Sequence, residues 1–266
     1  MIDYPKKFRL DGKKAFIIGG LGSIGKEVSI ACATAGAKTI VIDKLAKDGN
    51  LFEHKMNQKD FDVSYKFIDC ANMEQIETNF SALLNECGCP DIFINCSYPR
   101  TLDWESSTFK DITLESFRKN VDIHMNSVTW LARLAAEAMV KNKKSGSIIQ
   151  LGSIYGVVGQ DLTVYEGTDM NENMTYSAIK GGITNFTRLM ASYYGQFKIR
   201  VNIICPGGIS DENHKQVFVN QYSKKTPLKR LGKAEEIAST VLFLASEAAS
   251  YITGAIIMVD GGWTSV

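Results

Sequence analysis

Short apolar runs alternate along the chain with segments whose apolar residues recur about every 3.6 positions. Continuous apolar runs of this length are typical of parallel strands that are buried on both faces. We predict strands at 15–18, 39–42, 65–68, 91–95, 147–151, 199–204 and 256–259. The periodic segments predict helices at 25–35, 73–85, 113–139, 176–194 and 234–245. This alternation predicts an α/β fold with a doubly wound parallel β-sheet flanked by helices.

Nothing in the chain marks a domain boundary. It has no internal repeat, low-complexity tract or linker rich in Pro, Gly and Ser, so we expect one domain over residues 1–266. Two stretches without periodicity, 155–175 and 207–229, follow predicted strand ends. Ligands bind at the carboxyl ends of strands in open α/β sheets, so we predict that both stretches are walls or lids of a substrate pocket.

Composition narrows the partners. Lys and Arg number 30 against 29 Asp and Glu, which leaves no broad basic face for nucleic acid or an anionic membrane. No apolar run approaches the ~18 residues that a membrane helix needs, and the first residues lack the apolar core of a signal peptide. We therefore expect a cytoplasmic protein with a small-molecule partner.

The six cysteines do not form a metal motif. Only Cys87 and Cys89 lie close together, and there is neither a Cys-x-x-Cys motif nor a cluster among the three histidines. We expect no metal site and reduced, mostly buried thiols, the alternative being a redox pair at Cys87 and Cys89.

A tyrosine and a lysine lie one helical turn apart in the segment Tyr176-Ser-Ala-Ile-Lys180. Free tyrosine titrates near ~10, so it exchanges protons near neutral pH only if a neighbouring positive charge lowers its pKa. Lys180 could supply that charge, and the hydroxyl of Ser153 could hold an alcohol or a carbonyl in line with the tyrosine oxygen. The three side chains are candidates for one acid–base site; the alternative for the Tyr–Lys pair is an ordinary surface contact.

The first strand runs into Gly19-Gly-Leu-Gly-Ser-Ile-Gly25 and then into a helix. Such a turn lets a pyrophosphate approach backbone N–H groups at a helix N-terminus, although it could also serve only to pack strand against helix. Asp43 closes the second strand 18 positions after Gly25. A carboxylate there suits an adenosine ribose and favours NAD over NADP, with Lys44 leaving room for NADP. The alternative is a solvated strand end.

With the glycine turn, Ser153, Tyr176 and Lys180 in this order, the chain resembles the classical short-chain dehydrogenase/reductases over nearly its whole length. Further matches are Asp69, Asn95, the segment Asn-Ile-Ile-Cys-Pro-Gly at 202–207 and the segment Gly-Ala-Ile-Ile-Met-Val-Asp-Gly-Gly at 254–262. The resemblance implies a single-domain Rossmann fold and an NAD(P)-dependent oxidoreductase that acts on CH–OH groups.

The resemblance also implies residue roles. Tyr176 would be the acid/base, Lys180 would lower its pKa and hold the nicotinamide ribose, and Ser153 would position the reacting oxygen. The cofactor would contact further residues: Gly19, Ser23, Ile24 and Gly25 at the pyrophosphate, Asp69 and Cys70 at the adenine, and Pro206 and Ile209 at the nicotinamide. Asn95 would hold the central sheet near the cofactor.

Three positions depart from the family pattern. Ser23 stands where the turn usually has its middle glycine, although its backbone donor remains. Tyr98 stands where a glycine is usual, which predicts a narrower pocket. His124 replaces the asparagine that is usually the fourth catalytic residue. We hypothesise that its imidazole takes the place of asparagine in a proton relay behind the lysine; the alternative is a hydrogen-bonded core histidine.

Between Ser153 and Tyr176 lie 22 residues, a longer gap than is usual in the family that the chain resembles. The polar positions are Gln160, Asp161, Tyr165, Glu166, Asp169, Asn171, Glu172 and Asn173. We predict a pocket wall suited to a sugar-like substrate, since hydroxyls left unpaired in an apolar pocket cost free energy; the alternative is a solvated loop or subunit contact. The segment resembles a family branch associated with bacterial surface-sugar and flagellin-glycan synthesis.

Other functions stay open at this point. The same chemistry could act on a steroid, a polyol or an acyl-thioester. A sugar epimerase or dehydratase, or a cofactor-binding protein without catalysis, would reuse the same fold. The resemblance further implies a homotetramer or homodimer, with residues 254–266 near an interface.

Overall fold

Seven parallel strands form one sheet in the order β3-β2-β1-β4-β5-β6-β7 in the computed structural model, which describes all 266 residues. The strands are β1 Lys14–Ile18, β2 Lys38–Asp43, β3 Val63–Phe67, β4 Ile92–Asn95, β5 Gly146–Leu151, β6 Ile199–Pro206 and β7 Ile256–Val259. Every predicted apolar run coincides with one of these strands. The order of strands reverses between β1 and β4, which makes a topological switch point at their carboxyl ends.

Eight α-helices connect and cover the strands. They are α1 Ser23–Thr34, α2 Ala46–Asn57, α3 Ile76–Cys87, α4 Leu114–Asn120, α5 Ser127–Lys141, α6 Met174–Tyr194, α7 Gln216–Lys225 and α8 Ala234–Ala245. None of them is long and apolar enough to span a membrane.

The two faces of the sheet bury different apolar clusters. In β1, Phe16 and Ile18 pack with α3, α5 and α6, whereas Ala15 and Ile17 pack with α1 and α8. Successive side chains of a strand point to opposite faces, so a strand covered by helices on both sides must be apolar throughout. This arrangement confirms the predicted doubly wound α/β fold.

Two helices are missing from the sequence prediction. Helix α2 was not predicted, and α7 lies within the stretch 207–229, which was predicted to be non-periodic. Each buries few apolar side chains: Phe52 and Met56 in α2, Phe218 and Tyr222 in α7. A helix with so narrow an apolar stripe gives almost no periodic signal.

The predicted helix 113–139 is interrupted. Helices α4 and α5 are joined by a π-helical turn, Val121–Asn126, which carries His124 into the core. The predicted stretch 155–175 contains a short 3-10 helix, Leu162–Tyr165, and gives its last two residues to α6. Turns of π-helix occur frequently at functional sites. This one contains His124, which was predicted as a site residue.

Candidate active site

Two adjoining cavities, each of about 540 Å³, lie at the carboxyl edge of the sheet. The first is lined by Gly19, Asp43, Asp69 and Cys70, and the second by Ser153, Tyr176, Lys180, Pro206 and Ile209 together with Ser23, Ile24 and Gly25. They share Gly22, Cys96, Ser97 and Tyr98. The fold thus brings the predicted cofactor and acid–base residues to one cleft at the switch point, apart from Asn95, which lies buried beneath it.

At two positions of the glycine turn a side chain would collide with backbone atoms. A Cβ on Gly25 would lie 2.0 Å from the carbonyl oxygen of Gly19, and one on Gly19 would lie 2.6 Å from the Cα of Ser97. Gly19 also has φ +68°, a conformation that L residues rarely adopt. By contrast, the nearest atom to a Cβ on Gly22 is 3.5 Å away. Two of the glycines are therefore required by close packing of the turn.

The N-terminus of α1 opens into the cleft. Its N-cap, Gly22, offers no side chain to the first-turn amides, which have no acceptor within the helix. Ser23 is exposed and contributes its amide as a glycine would. Free amides at a helix N-terminus favour a phosphate group, so the residues present fit the pyrophosphate of a dinucleotide.

Asp43 has a structural task that its sequence position did not reveal. Its Oδ2 accepts a hydrogen bond from the Leu21 amide at 3.0 Å, and its Oδ1 accepts one from the Leu45 amide at 3.3 Å. The carboxylate thus ties the glycine turn to the end of β2, and it still lines the cavity with Lys44. Each carboxylate oxygen keeps a lone pair for a further donor such as a ribose hydroxyl.

Other predicted cofactor residues hold the loops of the first cavity. Asp69 accepts a hydrogen bond from the Ala71 amide at 3.0 Å, and burial raises the pKa of the adjacent Cys70 to about 11. Asn95 is buried, and its Oδ1 accepts hydrogen bonds from the amide and the hydroxyl of Ser97 at 3.0 and 2.6 Å. Asn95 therefore closes the turn that follows β4.

Burial dominates the electrostatics of the acid–base group. It raises the pKa of Tyr176 to about 12, and the neighbouring Ser153 hydroxyl opposes the rise. It lowers the pKa of Lys180 to about 8. The Nζ of Lys180 donates to the Leu151 carbonyl at 2.9 Å and lies 5.7 Å from the centroid of the Tyr176 ring. Desolvation is the largest cause of the raised tyrosine pKa. The lowering of that pKa by Lys180 stays a prediction.

Asn173 and Gln160 fix the start of α6, although both were predicted only as parts of the pocket wall. The Oδ1 of Asn173 caps the helix by accepting from the Tyr176 amide at 2.8 Å. Its Nδ2 donates to the Trp104 carbonyl at 3.2 Å, and its own carbonyl accepts from Gln160 at 2.8 Å. An asparagine before a helix is a recognised capping signal. Here it sets the orientation of the first turn, which carries Tyr176.

An aromatic group surrounds the tyrosine. The Tyr98 ring packs edge-on at 5.9 Å from Tyr176, 5.7 Å from Trp104 and 5.1 Å from His124, measured between centroids. Tyr98 also lines both cavities, as expected for a side chain that narrows the pocket. No motif pointed to Trp104.

His124 is fully buried, and neither of its ring nitrogens has a hydrogen-bond partner. Burial, assisted by the charge of Lys180, lowers the pKa of His124 well below its usual value. The imidazole is accordingly neutral at physiological pH.

Of the eight polar residues that were predicted to form the pocket wall, six line a cavity and two do not. A third cavity of about 180 Å³ adjoins Tyr176 and is lined by Gln160, Tyr165, Asp169, Asn171, Glu172 and Asn173. Asp161 and Glu166 do not line it: Asp161 pairs with Lys225 at 2.8 Å, and Glu166 is exposed, its carbonyl accepting from Gln221. Trp104 and Glu105, from the segment after β4, complete the wall without having been predicted.

The fold and the cleft define the class of protein. A glycine turn at a switch point fits a nicotinamide dinucleotide, and a Ser, Tyr and Lys group at the other end suits proton transfer to and from an alcohol.

Comparison with known proteins identifies the family. A family model described as enoyl-(acyl carrier protein) reductase matches residues 19–264. Galactitol 2-dehydrogenase of Rhizobium johnstonii is 31% identical over 272 residues, with 99% of each chain covered. Post-translational flagellin modification protein A of Campylobacter coli is 28% identical over 255 residues, with 96% of this chain and 99% of that protein covered.

A solved structure is similar over the same length. The short chain dehydrogenase of Leptospira borgpetersenii, which was crystallised with bound NAD+, has a TM-score of 0.83 at 30% identity, covering 99% of this chain and 97% of that one. The chain belongs to the short-chain dehydrogenase/reductase family. It is an NAD(P)-dependent oxidoreductase that acts on CH–OH groups.

Proposed function

We propose that the protein uses NAD to interconvert a secondary alcohol and a ketone on a sugar-like, polyhydroxylated substrate. The observation that carries the proposal is the position of Tyr176, between the cofactor cleft and a wall cavity lined by amides and carboxylates. Hydroxyl groups find hydrogen-bond partners in such a cavity, whereas a steroid or acyl chain would leave those polar groups unpaired. The galactitol dehydrogenase among the relatives supports the same substrate class.

The preference for NAD is argued from Asp43. Its carboxylate lines the first cavity at the end of β2 and would repel the 2′-phosphate of NADP. Lys44 lines the same cavity and offsets part of that charge.

A bound nicotinamide would supply or accept the hydride. The Ser153 hydroxyl holds the reacting oxygen beside the phenol of Tyr176. In the reducing direction Tyr176 donates its proton to that oxygen, and in the oxidising direction its phenolate removes a proton from the alcohol. Lys180 favours the phenolate by its positive charge and is held in place by the Leu151 carbonyl. Oxidation is therefore expected to become faster as the pH rises toward about 8, because burial keeps Tyr176 protonated near neutrality and Lys180 loses its charge above that pH.

We also propose that His124 occupies the relay position behind Lys180. A neutral imidazole presents one donor and one acceptor, and both nitrogens lack protein partners. Its role would be hydrogen bonding and not titration, since its pKa lies well below neutrality.

The homotetramer or homodimer implied by the sequence remains a proposal. Strand β7 is at the edge of the sheet and only partly buried, and nearby Tyr251 and Val266 are exposed. Sedimentation velocity measures the assembly directly; a monomer at micromolar concentration would contradict it.

Net cofactor turnover tests the proposed reaction. The wild-type protein is incubated with NAD+ and a panel of polyols, sugars, a hydroxysteroid and a hydroxyacyl-thioester, and NADH is followed by its absorbance. We expect NADH with polyhydroxylated alcohols. Activity confined to the steroid or the thioester would contradict the substrate class, and isomer formation without net NADH would indicate an epimerase.

A further inference from the structure

Three buried side chains beneath the active site have polar atoms that bind no other protein atom. The amide of Gln150 is unpaired at both Oε1 and Nε2, as are both ring nitrogens of His124 and the Nδ2 of Asn95. All three residues are at most 1% exposed. Buried polar atoms almost always bind a protein group or an ordered water, so these five atoms together indicate a ligand.

Asn95 and Gln150 lie side by side on one face of the sheet. They are register partners on β4 and β5, and Ile203 of β6 is the next residue in the same row. The residues two positions earlier on β4 and β5, Phe93 and Ile148, belong to the apolar cluster that includes side chains of α5 and α6. Since alternate residues of a strand share a face, the Asn95 and Gln150 side chains point toward the same two helices.

The imidazole of His124 lies beside the ends of these strands. Its ring centroid is 5.1 Å from that of Tyr98, three residues beyond the end of β4. The Nζ of Lys180 lies 5.8 Å from the centroid of the same Tyr98 ring and donates to the carbonyl of Leu151, the last residue of β5. Because the π-helical turn leads directly into α5, the imidazole is on the α5 side of the sheet, where the Gln150 side chain also lies.

The chemistry of these atoms indicates water as the ligand. None of the three residues lines the two cofactor cavities or the wall cavity, so neither a dinucleotide nor a substrate contacts them. A cation is disfavoured by the amide N–H donors and by the nearby ammonium of Lys180. Water both donates and accepts, which suits a set of amide and imidazole atoms that contains donors and acceptors.

We propose that Gln150 is a positioning residue for His124 and acts through a buried water that it shares with the imidazole and with Asn95. The water held by the amide selects one tautomer of the neutral imidazole. A fixed tautomer keeps one ring nitrogen as a donor and the other as an acceptor behind Lys180. This inference rests on the relay proposed above for His124 and adds the group that orients its ring.

A crystal structure that resolves ordered water tests the site directly. Density for a water within about 3.2 Å of both the Gln150 amide and a ring nitrogen of His124 would support the proposal. A direct hydrogen bond between the amide and the imidazole, or a site without water, would overturn it. The test needs neither substrate nor turnover, so its result is independent of the proposed reaction.

The tautomer of His124 is measured by NMR on protein labelled with 15N in its three histidines. We expect one neutral tautomer in the wild type and a mixture in Gln150→Leu, which replaces the amide by an apolar side chain of similar size. Ile149→Val is the matched control, because Ile149 packs with α1 and α8 on the opposite face of β5. An unchanged His124 signal in the leucine variant would contradict the positioning role.

Kinetics separate positioning from a purely structural role. Gln150→Leu should lower kcat about fivefold and leave KM within about twofold, because the residue contacts neither substrate nor cofactor. In the His124→Leu background the same substitution should change kcat by less than about twofold, since the ring that it orients is gone. Equal losses in both backgrounds would show that Gln150 acts only through the fold. Thermal unfolding verifies each variant, and Gln150→Met replaces Gln150→Leu if the latter does not fold.

The outcomes keep this inference apart from the proposed reaction. A bound water and a single His124 tautomer without NADH from any alcohol would count against the reaction and not against the water site. NADH formation by Gln150→Leu at the wild-type rate would support the reaction and overturn the positioning role.

Discussion

The two ends of the cofactor cleft are built in opposite ways. At the glycine turn the backbone forms the site, and Gly19 and Gly25 matter because they have no side chain. At the other end Tyr176 and Lys180 form it, and desolvation raises the pKa of Tyr176 to about 12 and lowers the pKa of Lys180 to about 8. The glycine turn depends on the absence of side chains, and the Tyr176–Lys180 end depends on the energy of charged groups that are partly removed from water. We therefore expect the cleft to tolerate Ser23 in the glycine turn but to lose its activity when the hydroxyl of Tyr176 is removed.

The largest effect is expected at the charged end. Tyr176→Phe removes only the phenolic oxygen, so turnover should fall by about 10³-fold, the usual contribution of a general acid–base group. NADH binding, followed by fluorescence titration, should be unchanged within about twofold because the ring remains. Turnover within tenfold of wild type would refute the assigned mechanism.

The second-largest effect is expected at the glycine turn, where the backbone forms the site. Gly25→Ala places a Cβ 2.0 Å from a carbonyl oxygen, which should lower the free energy of unfolding by about 3 kcal/mol and weaken NADH binding. Gly22→Ala is the control; its Cβ meets nothing nearer than 3.5 Å, so we expect a loss within about 1 kcal/mol. Urea denaturation measures both. Equal losses would show that space does not limit the turn.

The buried lysine should make stability depend on pH. Its folded-state pKa, about 8, lies below the ordinary 10.5, so between these values the unfolded chain keeps a proton that the folded chain has released. Stability due to this group therefore rises with pH across that window and is lowest below pH 8. The stability of wild type relative to Lys180→Met should rise from pH 8 to 10.5 by at most about 3 kcal/mol.

An exposed lysine provides the comparison for that experiment. Lys141→Met, at the end of α5, should show no such pH dependence. A difference between wild type and Lys180→Met that stays flat from pH 8 to 10.5 would mean that the ammonium is not desolvated.

A smaller effect is expected at Asp43. Asp43→Asn keeps an acceptor for the Leu21 amide and removes the charge, so the ratio of NADPH to NADH dissociation constants should fall by about tenfold. Titration of both nucleotides measures the ratio. If it does not change, cofactor preference is set elsewhere in the first cavity.

The smallest effect is expected at His124. His124→Asn should keep turnover within about threefold, with the same pH–rate profile, because a neutral imidazole and an amide both offer a donor and an acceptor. His124→Leu removes both and should slow turnover by about tenfold without loss of stability, since no protein hydrogen bond is broken. A fully active leucine variant would exclude a relay through this side chain.

The fold and part of the site were predictable because their causes are local. The seven apolar runs became seven strands, and the glycine spacing led to the turn. Helix α7 was missed because only Phe218 and Tyr222 face the core, a stripe too narrow to show periodicity. Trp104 and Glu105 were missed because no motif marks them; they reach the wall only through the path of the chain after β4.

By itself the sequence determined the α/β class, the family, and the residues that meet in the cleft. Only the tertiary structure decided the state of those residues. Burial raises the pKa of Tyr176, and this desolvation depends on every surrounding atom and not on one neighbour in the sequence. The same holds for the wall cavity, whose charge follows from which carboxylates find partners. Residue types can be read along a chain, but burial and pairing arise only when distant segments pack together.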